Sequence, residues 1–147
     1  MRSSAFPPGW NGQALAPPMG WRHWQAFGPH VRAGLPGDGS SCSAPPGTTC
    51  GSIARTIDLM VDRRWSVDGR SGTASLADIG YSAVGIDEGW ERCGAGVGGH
   101  GHHAADGSPL IDLGKFPNMS ALTGYAHARG LTIGWYLNGA LHAAPAH

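Results

Sequence analysis

The sequence has no excess of charge of either sign, because its 10 basic and 10 acidic residues cancel. A balanced chain builds no field that would attract nucleic acid or an anionic membrane, so we expect neither as a partner. No apolar run approaches the roughly 18 residues that a membrane span needs. The first residues also lack the apolar segment of about 7 to 15 residues that a signal peptide carries, so secretion is not predicted.

Cysteine is scarce, with 3 in 147 residues. Cys42 and Cys50 flank "SAPPGTT", a Pro/Gly turn that can bring their Cα atoms within disulfide reach and leave Cys93 unpaired. A disulfide in an oxidising compartment and a set of free thiols are both compatible with this spacing.

Glycine and proline, in contrast, are abundant, with 25 and 11 residues. Their clusters predict an extended N-terminal segment over 1–18 and irregular loops over 28–51 and 94–114. We assign residues 19–147 to a single folded unit, in which regular elements separate these loops.

The hydrophobic pattern predicts strands at 19–27, 81–86 and 131–137 and helices at 52–65 and 118–129. Alternating strands and helices are typical of parallel strands joined by crossover helices. The predicted fold class is therefore α/β. A doubly wound sheet and the first three βα units of a (β/α)8 barrel satisfy this order equally well.

The two helices carry recognisable end signals. Ser52 is a candidate N-cap, and Gly130 stands where a C-cap glycine belongs. Apolar residues of the first helix recur at a spacing of three and four positions, which predicts one buried face formed by Ile53, Ile57, Met60 and Val61.

Each predicted strand has polar or aromatic side chains at its carboxyl end. They are Arg22, His23 and Trp24 at the end of the first strand, Asp87 and Glu88 at the end of the second, and Tyr136 and Asn138 at the end of the third. Carboxylates are costly to bury unpaired, so a strand that ends on two of them is expected to present them to a partner. In a (β/α)8 barrel this edge is where active sites are built.

Three blocks of the chain, "NGQALAPPMGWRHWQAFG", "DIGYSAVGIDEGW" and "KFPNMSALTGYAHARGLTIGWYLNG", resemble successive blocks of the α-galactosidase and α-N-acetylgalactosaminidase family of glycoside hydrolases. The resemblance favours the barrel, with residues 19–147 as the N-terminal portion of a (β/α)8 catalytic barrel, and implies retaining hydrolysis of terminal α-galactosyl groups. It implies no metal or organic cofactor. Members of the family are often secreted or lysosomal, although this sequence predicts no compartment by itself.

The resemblance also implies roles for four residues. Trp24 corresponds to a wall of the sugar pocket, and an aromatic ring suits the apolar face of galactose. Asp87 and Glu88 correspond to a pair of carboxylates that accept hydrogen bonds from neighbouring hydroxyls. Tyr136 corresponds to a pocket tyrosine. The competing interpretations are a core tryptophan, an exposed acidic turn or helix N-cap, and a core tyrosine.

Several positions depart from the family. Glu88 stands where most relatives have Asp, while Gly89 and Pro29 replace the two cysteines of one disulfide. Cys42 and Cys50 match a second, small-loop disulfide of the family in approximate spacing. The resemblance therefore favours their pairing.

The family's nucleophile and acid/base are aspartates after the fourth and sixth strands, beyond the end of this chain. We therefore assign no catalytic residue and expect a fragment that supplies part of a sugar pocket. An α-N-acetylgalactosaminidase and a non-catalytic truncated barrel are the alternatives.

Two further motifs carry less information. "HGHH", with His100, His102 and His103, has the donor atoms of a transition-metal site, but a flexible solvated loop explains it better and we predict no metal. "GAGVGG" does not follow a strand or open a helix, so it does not predict a phosphate-binding loop.

Overall fold

A computed structural model describes residues 18–42, 44–64 and 74–136. Of the predicted N-terminal segment, only Pro18 lies within these ranges. Trp65 and Asn138 lie outside them. The elements in chain order are β1 (Gly20–Arg22), α1 (Trp24–Phe27), β2 (Val31–Arg32), β3 (Gly51–Ser52), α2 (Ile53–Val61), β4 (Ala83–Ile86), a 3-10 turn (Val97–Gly99), α3 (Met119–His127) and β5 (Thr132–Trp135).

The main sheet consists of three parallel strands in the order β1, β4, β5. Arg22 lies opposite Gly85, and Gly85 lies opposite Gly134. α2 lies in the crossover from β1 to β4, and α3 lies in the crossover from β4 to β5. The predicted α/β class, the alternation and the parallel strands are therefore confirmed.

Both crossover helices lie on the same face of this sheet. The hydroxyl of Tyr125 in α3 donates to Asp58 Oδ1 in α2 at 2.7 Å, and Arg129 Nε donates to the same oxygen at 2.9 Å. A doubly wound sheet needs helices on both faces. Within the described ranges, the arrangement is singly wound.

The core lies between the helices and the sheet. Its largest fully buried side chains include Ile53, Ile57, Met60, Val84, Ile86, Phe116, Leu122 and Leu131. Removing these side chains from water is the main stabilising term of the fold. In the part of the chain that the structure describes, no helix is both long and apolar enough to cross a bilayer.

The helix starts follow the sequence signals. The hydroxyl of Ser52 accepts a hydrogen bond from the Arg55 N–H at 3.1 Å, and Asn118 Oδ1 accepts one from the Ala121 N–H at 2.8 Å. Each cap satisfies a backbone donor that the helix itself leaves unpaired. Gly130, with φ of 74°, takes the left-handed conformation after α3.

The prediction of one strand over 19–27 is wrong beyond Arg22. The chain leaves the sheet at His23, whose φ and ψ of −79° and −18° are helical, and α1 follows. The buried His23 side chain is bonded across to the backbone after β4, which turns the chain out of the strand.

The segment 28–51 is more regular than predicted, because β2 and β3 form a short parallel pair. Gly51 is required in β3, since a Cβ at this position would overlap the Phe27 ring. The predicted disulfide is confirmed: Cys42 and Cys50 are bonded, with their Cα atoms 6.1 Å apart. Cys93 is a free, exposed cysteine.

The segment 94–114 is also more ordered than a flexible loop. The His103 carbonyl accepts from the Val97 N–H at 3.3 Å, and the His102 carbonyl accepts from the Leu110 N–H at 2.7 Å. His102 is only 7% exposed, and its ring stacks on that of His103 at a centroid distance of 4.3 Å. The expectation of a solvated histidine loop is therefore wrong for His102.

Candidate functional site

The parallel strands bring the predicted site residues to one edge of the sheet. Asp87 directly follows β4, Tyr136 directly follows β5, and Trp24 lies just beyond β1. The Tyr136 N–H donates to the Ile86 carbonyl at 2.7 Å, which keeps the Tyr136 backbone beside the chain entering Asp87. All of these residues therefore lie at the carboxyl ends of their strands, as the sequence predicted.

His23, to which the sequence assigned no role of its own, connects the ends of β1 and β4. The Asp87 N–H lies 3.0 Å from His23 Nδ1, and His23 Nε2 lies 3.1 Å from the Glu88 carbonyl. Since a backbone N–H only donates and a carbonyl only accepts, Nδ1 is unprotonated and Nε2 carries the proton. His23 thus fixes the backbone from which both carboxylates project. Its place among the polar and aromatic residues at the carboxyl end of the first strand was the signal available.

The neutral form of His23 is the one that fits its surroundings. The side chain is fully buried. Burial lowers the pKa of His23 below its ordinary value of 6.5, and this effect outweighs the opposing influences of the Glu88 carbonyl and the Asp87 carboxylate. Protonation of Nδ1 would also place two donors against each other at the Asp87 N–H.

This depressed pKa predicts a pH dependence of stability. Below pH 6.5 the unfolded chain binds a proton at His23 that the folded chain does not bind. The free energy of unfolding should therefore fall with decreasing pH. Above pH 6.5 both states are neutral, and the contribution should be constant. Urea unfolding at a series of pH values measures this. If the free energy of unfolding changed with pH equally in the wild type and in His23→Asn, the prediction would be wrong. His127→Gln, at the exposed end of α3, is the matched control.

The exposure of the site residues argues against the competing interpretations of a core tryptophan, a core tyrosine and an exposed acidic turn. Trp24 is 40% exposed and Tyr136 is 44% exposed, so neither is a core residue in this structure. Asp87 and Glu88 are both partly buried rather than part of an exposed turn, and no described helix begins at them. Two half-exposed aromatic rings flank a pair of partly buried carboxylates.

A buried aromatic cluster supports the Tyr136 side of the edge. The indole Nε1–H of Trp90 donates to the Tyr136 carbonyl at 2.9 Å. Trp90 packs edge-on against Trp135 at a centroid distance of 6.0 Å, and Phe116 packs against Trp135 at 5.7 Å. No local pattern of the sequence predicts this cluster, because its members come from three separate segments.

Gly89 and Pro29, which are distant in the sequence, are neighbours in the structure. A Cβ at Gly89, which has φ of 107°, would lie 2.6 Å from the Pro29 carbonyl oxygen. Lys115 Nζ donates to the Gly89 carbonyl at 3.2 Å and to the Pro29 carbonyl at 3.4 Å. A charged side chain therefore links the two segments at this point.

The sheet face opposite the helices is open along the strands that lead to the site. It borders a cavity of about 490 Å³, whose lining includes Gly20, Arg22, Gly85, Thr132 and Gly134. This volume is within the range of roughly 300–1,000 Å³ typical of ligand pockets. Among the described residues, no group of three or more potential metal ligands is close enough to hold an ion.

Comparisons with known proteins connect this arrangement to one group of enzymes. No protein-family model matches the chain. It is 28% identical over 127 residues to alpha-galactosidase 2 of Arabidopsis thaliana and 29% identical over 127 residues to the alpha-N-acetylgalactosaminidase of Gallus gallus. Each match covers 86% of this chain, which spans 23% and 25% of the respective relative.

The solved structures agree at the level of the fold. The α-galactosidase of Saccharomyces cerevisiae superposes with a TM-score of 0.59 at 24% identity, over 89% of this chain and 21% of that protein. The resemblance to α-galactosidases and an α-N-acetylgalactosaminidase, first indicated by three sequence blocks, is thereby confirmed along most of the chain. The matched part corresponds to between a fifth and a quarter of these proteins.

Proposed function

We propose that this chain, a relative of the α-galactosidases, forms the first three βα units of a (β/α)8 barrel and supplies part of its sugar pocket. The observation that carries the proposal is the common edge of β1, β4 and β5, where Trp24, Asp87 and Tyr136 lie together. Parallel order and helices on one face are what the opening of such a barrel requires. Within the described residues, β1 and β5 are the outer strands, to which further strands would pair.

The proposed ligand is a terminal α-galactosyl group. The half-exposed ring of Trp24 offers an apolar surface for one face of the sugar. Asp87 and Glu88 accept hydrogen bonds from neighbouring hydroxyls, and such charge-assisted bonds discriminate between sugars that differ in one hydroxyl. Tyr136 donates its phenolic hydrogen to a sugar oxygen.

The proposed reaction of the whole enzyme is retaining hydrolysis. It requires a nucleophile and an acid/base carboxyl about 5–5.5 Å apart, and it proceeds through a glycosyl-enzyme intermediate without a metal or organic cofactor. We assign neither role to Asp87 or Glu88, whose proposed task is to hold hydroxyls. The catalytic carboxylates are expected outside this chain.

Two alternatives have support of their own. The 29% identity to the alpha-N-acetylgalactosaminidase of Gallus gallus is close to the 28% identity to alpha-galactosidase 2 of Arabidopsis thaliana, so an N-acetylgalactosaminyl group is the second candidate ligand. The span of about a quarter of these relatives is compatible with a non-catalytic partial barrel that binds sugar weakly.

Saturation-transfer NMR on the purified chain tests the proposed ligand. We expect galactose to receive saturation from the protein and glucose, its C4 epimer, to receive much less. N-acetylgalactosamine, added as a competitor, reveals whether the second candidate shares the site. Equal signals from galactose and glucose would contradict a selective galactose pocket.

A chromogenic nitrophenyl α-galactoside tests the assignment of catalysis to residues outside the chain. We expect no release of nitrophenol above the buffer rate at any concentration of the 147-residue chain. Turnover that is lost in Asp87→Asn would mean that one of the described carboxylates is catalytic, and the assignment of roles would then be wrong.

A further inference from the structure

Arg22 is the long polar side chain on the open face of the sheet. Successive side chains of a strand point to opposite faces of the sheet, so every second residue of each strand lies on the open face. Paired residues of neighbouring strands form rows across this face. Arg22 shares a row with Gly85 and Gly134. Asp87 and Tyr136 directly follow the last paired residues, Ile86 and Trp135. The 490 Å³ cavity lies over the row of Arg22, Gly85 and Gly134 and over the residues that precede it in each strand.

The Arg22 side chain lies flat over Gly85. A Cβ on Gly85 would lie 2.8 Å from Arg22 Cγ and 3.1 Å from its Cζ. No residue larger than glycine at position 85 is therefore compatible with this conformation of the Arg22 side chain. The guanidinium group ends 4.0 Å from Asp87, measured from Nη1 to Oδ2, and the Arg22 side chain remains 63% exposed. Arg22 thus extends to the site carboxylate without being covered.

The 4.0 Å separation is too long for a hydrogen bond between the two groups, which would require about 2.7–3.2 Å. Asp87 Oδ1 already accepts the Glu88 N–H at 3.0 Å, whereas Oδ2 faces the guanidinium group. A single hydroxyl oxygen at hydrogen-bond distance from both atoms fits this gap. It would accept from Arg22 Nη1–H and donate its own hydrogen to Asp87 Oδ2.

We infer that Arg22 and Asp87 bind one hydroxyl of the sugar between them, which makes Arg22 a specificity-determining residue of the pocket. The inference rests on the proposed function, because it assumes that the ligand is a galactosyl group. A hydroxyl that donates and accepts at once is held more tightly and in one orientation, since both partners are charged. Sugars that lack this hydroxyl, or carry it as an ether, lose the interaction.

The test crosses protein variants with ligand variants. NMR titration measures the dissociation constants of galactose and of each monodeoxygalactose for the wild type and for Arg22→Met. We expect Arg22→Met to weaken galactose binding about 10-fold, the effect of losing one hydrogen bond to a charged group. One monodeoxygalactose should bind the wild type and Arg22→Met equally, because it lacks the hydroxyl that Arg22 contacts.

The controls separate this inference from the proposed function. Arg55→Met, on the exposed side of α2, should bind galactose like the wild type. If Arg22→Met changes the dissociation constants of galactose and of every deoxy analogue by the same factor, Arg22 contacts no hydroxyl and the inference fails. Galactose binding by the wild type would still support the proposed function. If the wild type binds no galactose, both fail. If Arg22→Met does not fold, Arg22→Gln replaces it, with the same analogue expected to be insensitive.

Discussion

We expect Asp87→Asn to weaken galactose binding by about 10- to 100-fold, which corresponds to the loss of a hydrogen bond to a charged acceptor. The substitution preserves the shape of the side chain, and the amide oxygen can still accept the Glu88 N–H that Asp87 Oδ1 accepts now. The amide nitrogen then replaces Oδ2, so an acceptor of the sugar hydroxyl becomes a donor. That donor also faces the guanidinium group of Arg22.

The measurement is an NMR titration with galactose, accompanied by thermal unfolding to establish that the fold is intact. Asp106→Asn is the matched control, because Asp106 lies in an exposed turn and bonds only Ser108 among the described residues. It should leave the dissociation constant unchanged. Equal affinities for the wild type and Asp87→Asn would remove Asp87 from the pocket.

The second large effect concerns stability. We expect Phe116→Ala to lower the free energy of unfolding by about 3–5 kcal/mol, the cost of removing a buried aromatic side chain and leaving a cavity. Phe116 is fully buried and packs edge-on against Trp135 in β5. Trp135 in turn packs on Trp90, whose indole N–H holds the Tyr136 carbonyl. Loss of Phe116 should therefore loosen the Tyr136 side of the site.

Urea unfolding followed by tryptophan fluorescence measures the change. Leu113→Ala is the control, since Leu113 is 64% exposed and surface substitutions rarely change stability by more than about 0.5 kcal/mol. If Phe116→Ala were no more destabilising than Leu113→Ala, the aromatic cluster would not be part of the core.

Local signals in the sequence were enough to predict β4, β5 and the two crossover helices, but not α1, in which Trp24 lies. Ser52 caps α2 as its side chain and position suggested, and Val84 and Ile86 alternate into the core as a strand requires. The positions of Asp87 and Tyr136 at one edge then follow from parallel pairing, which the alternation of strands and helices predicts.

The features that the sequence did not predict depend on contacts between distant segments. α1 forms because His23 is bonded to residues more than 60 positions away, a contact that no local pattern contains. The burial of His102 depends on the segment around Leu110, whose N–H donates to the His102 carbonyl. β3 tolerates only glycine at position 51 because of the Phe27 ring. The proximity of Arg22 to Asp87 needs the register of β1 against β4, which alternation alone leaves undetermined.

The most direct test of the sugar pocket is a heteronuclear NMR map of the backbone amides and indole N–H groups during a galactose titration. The account predicts that the largest shifts occur at the Trp24 indole, at the amides of Asp87 and Glu88, and at Tyr136. Shifts concentrated in the 97–103 segment, or at the opposite ends of the strands near Met19 and Ser82, would contradict it.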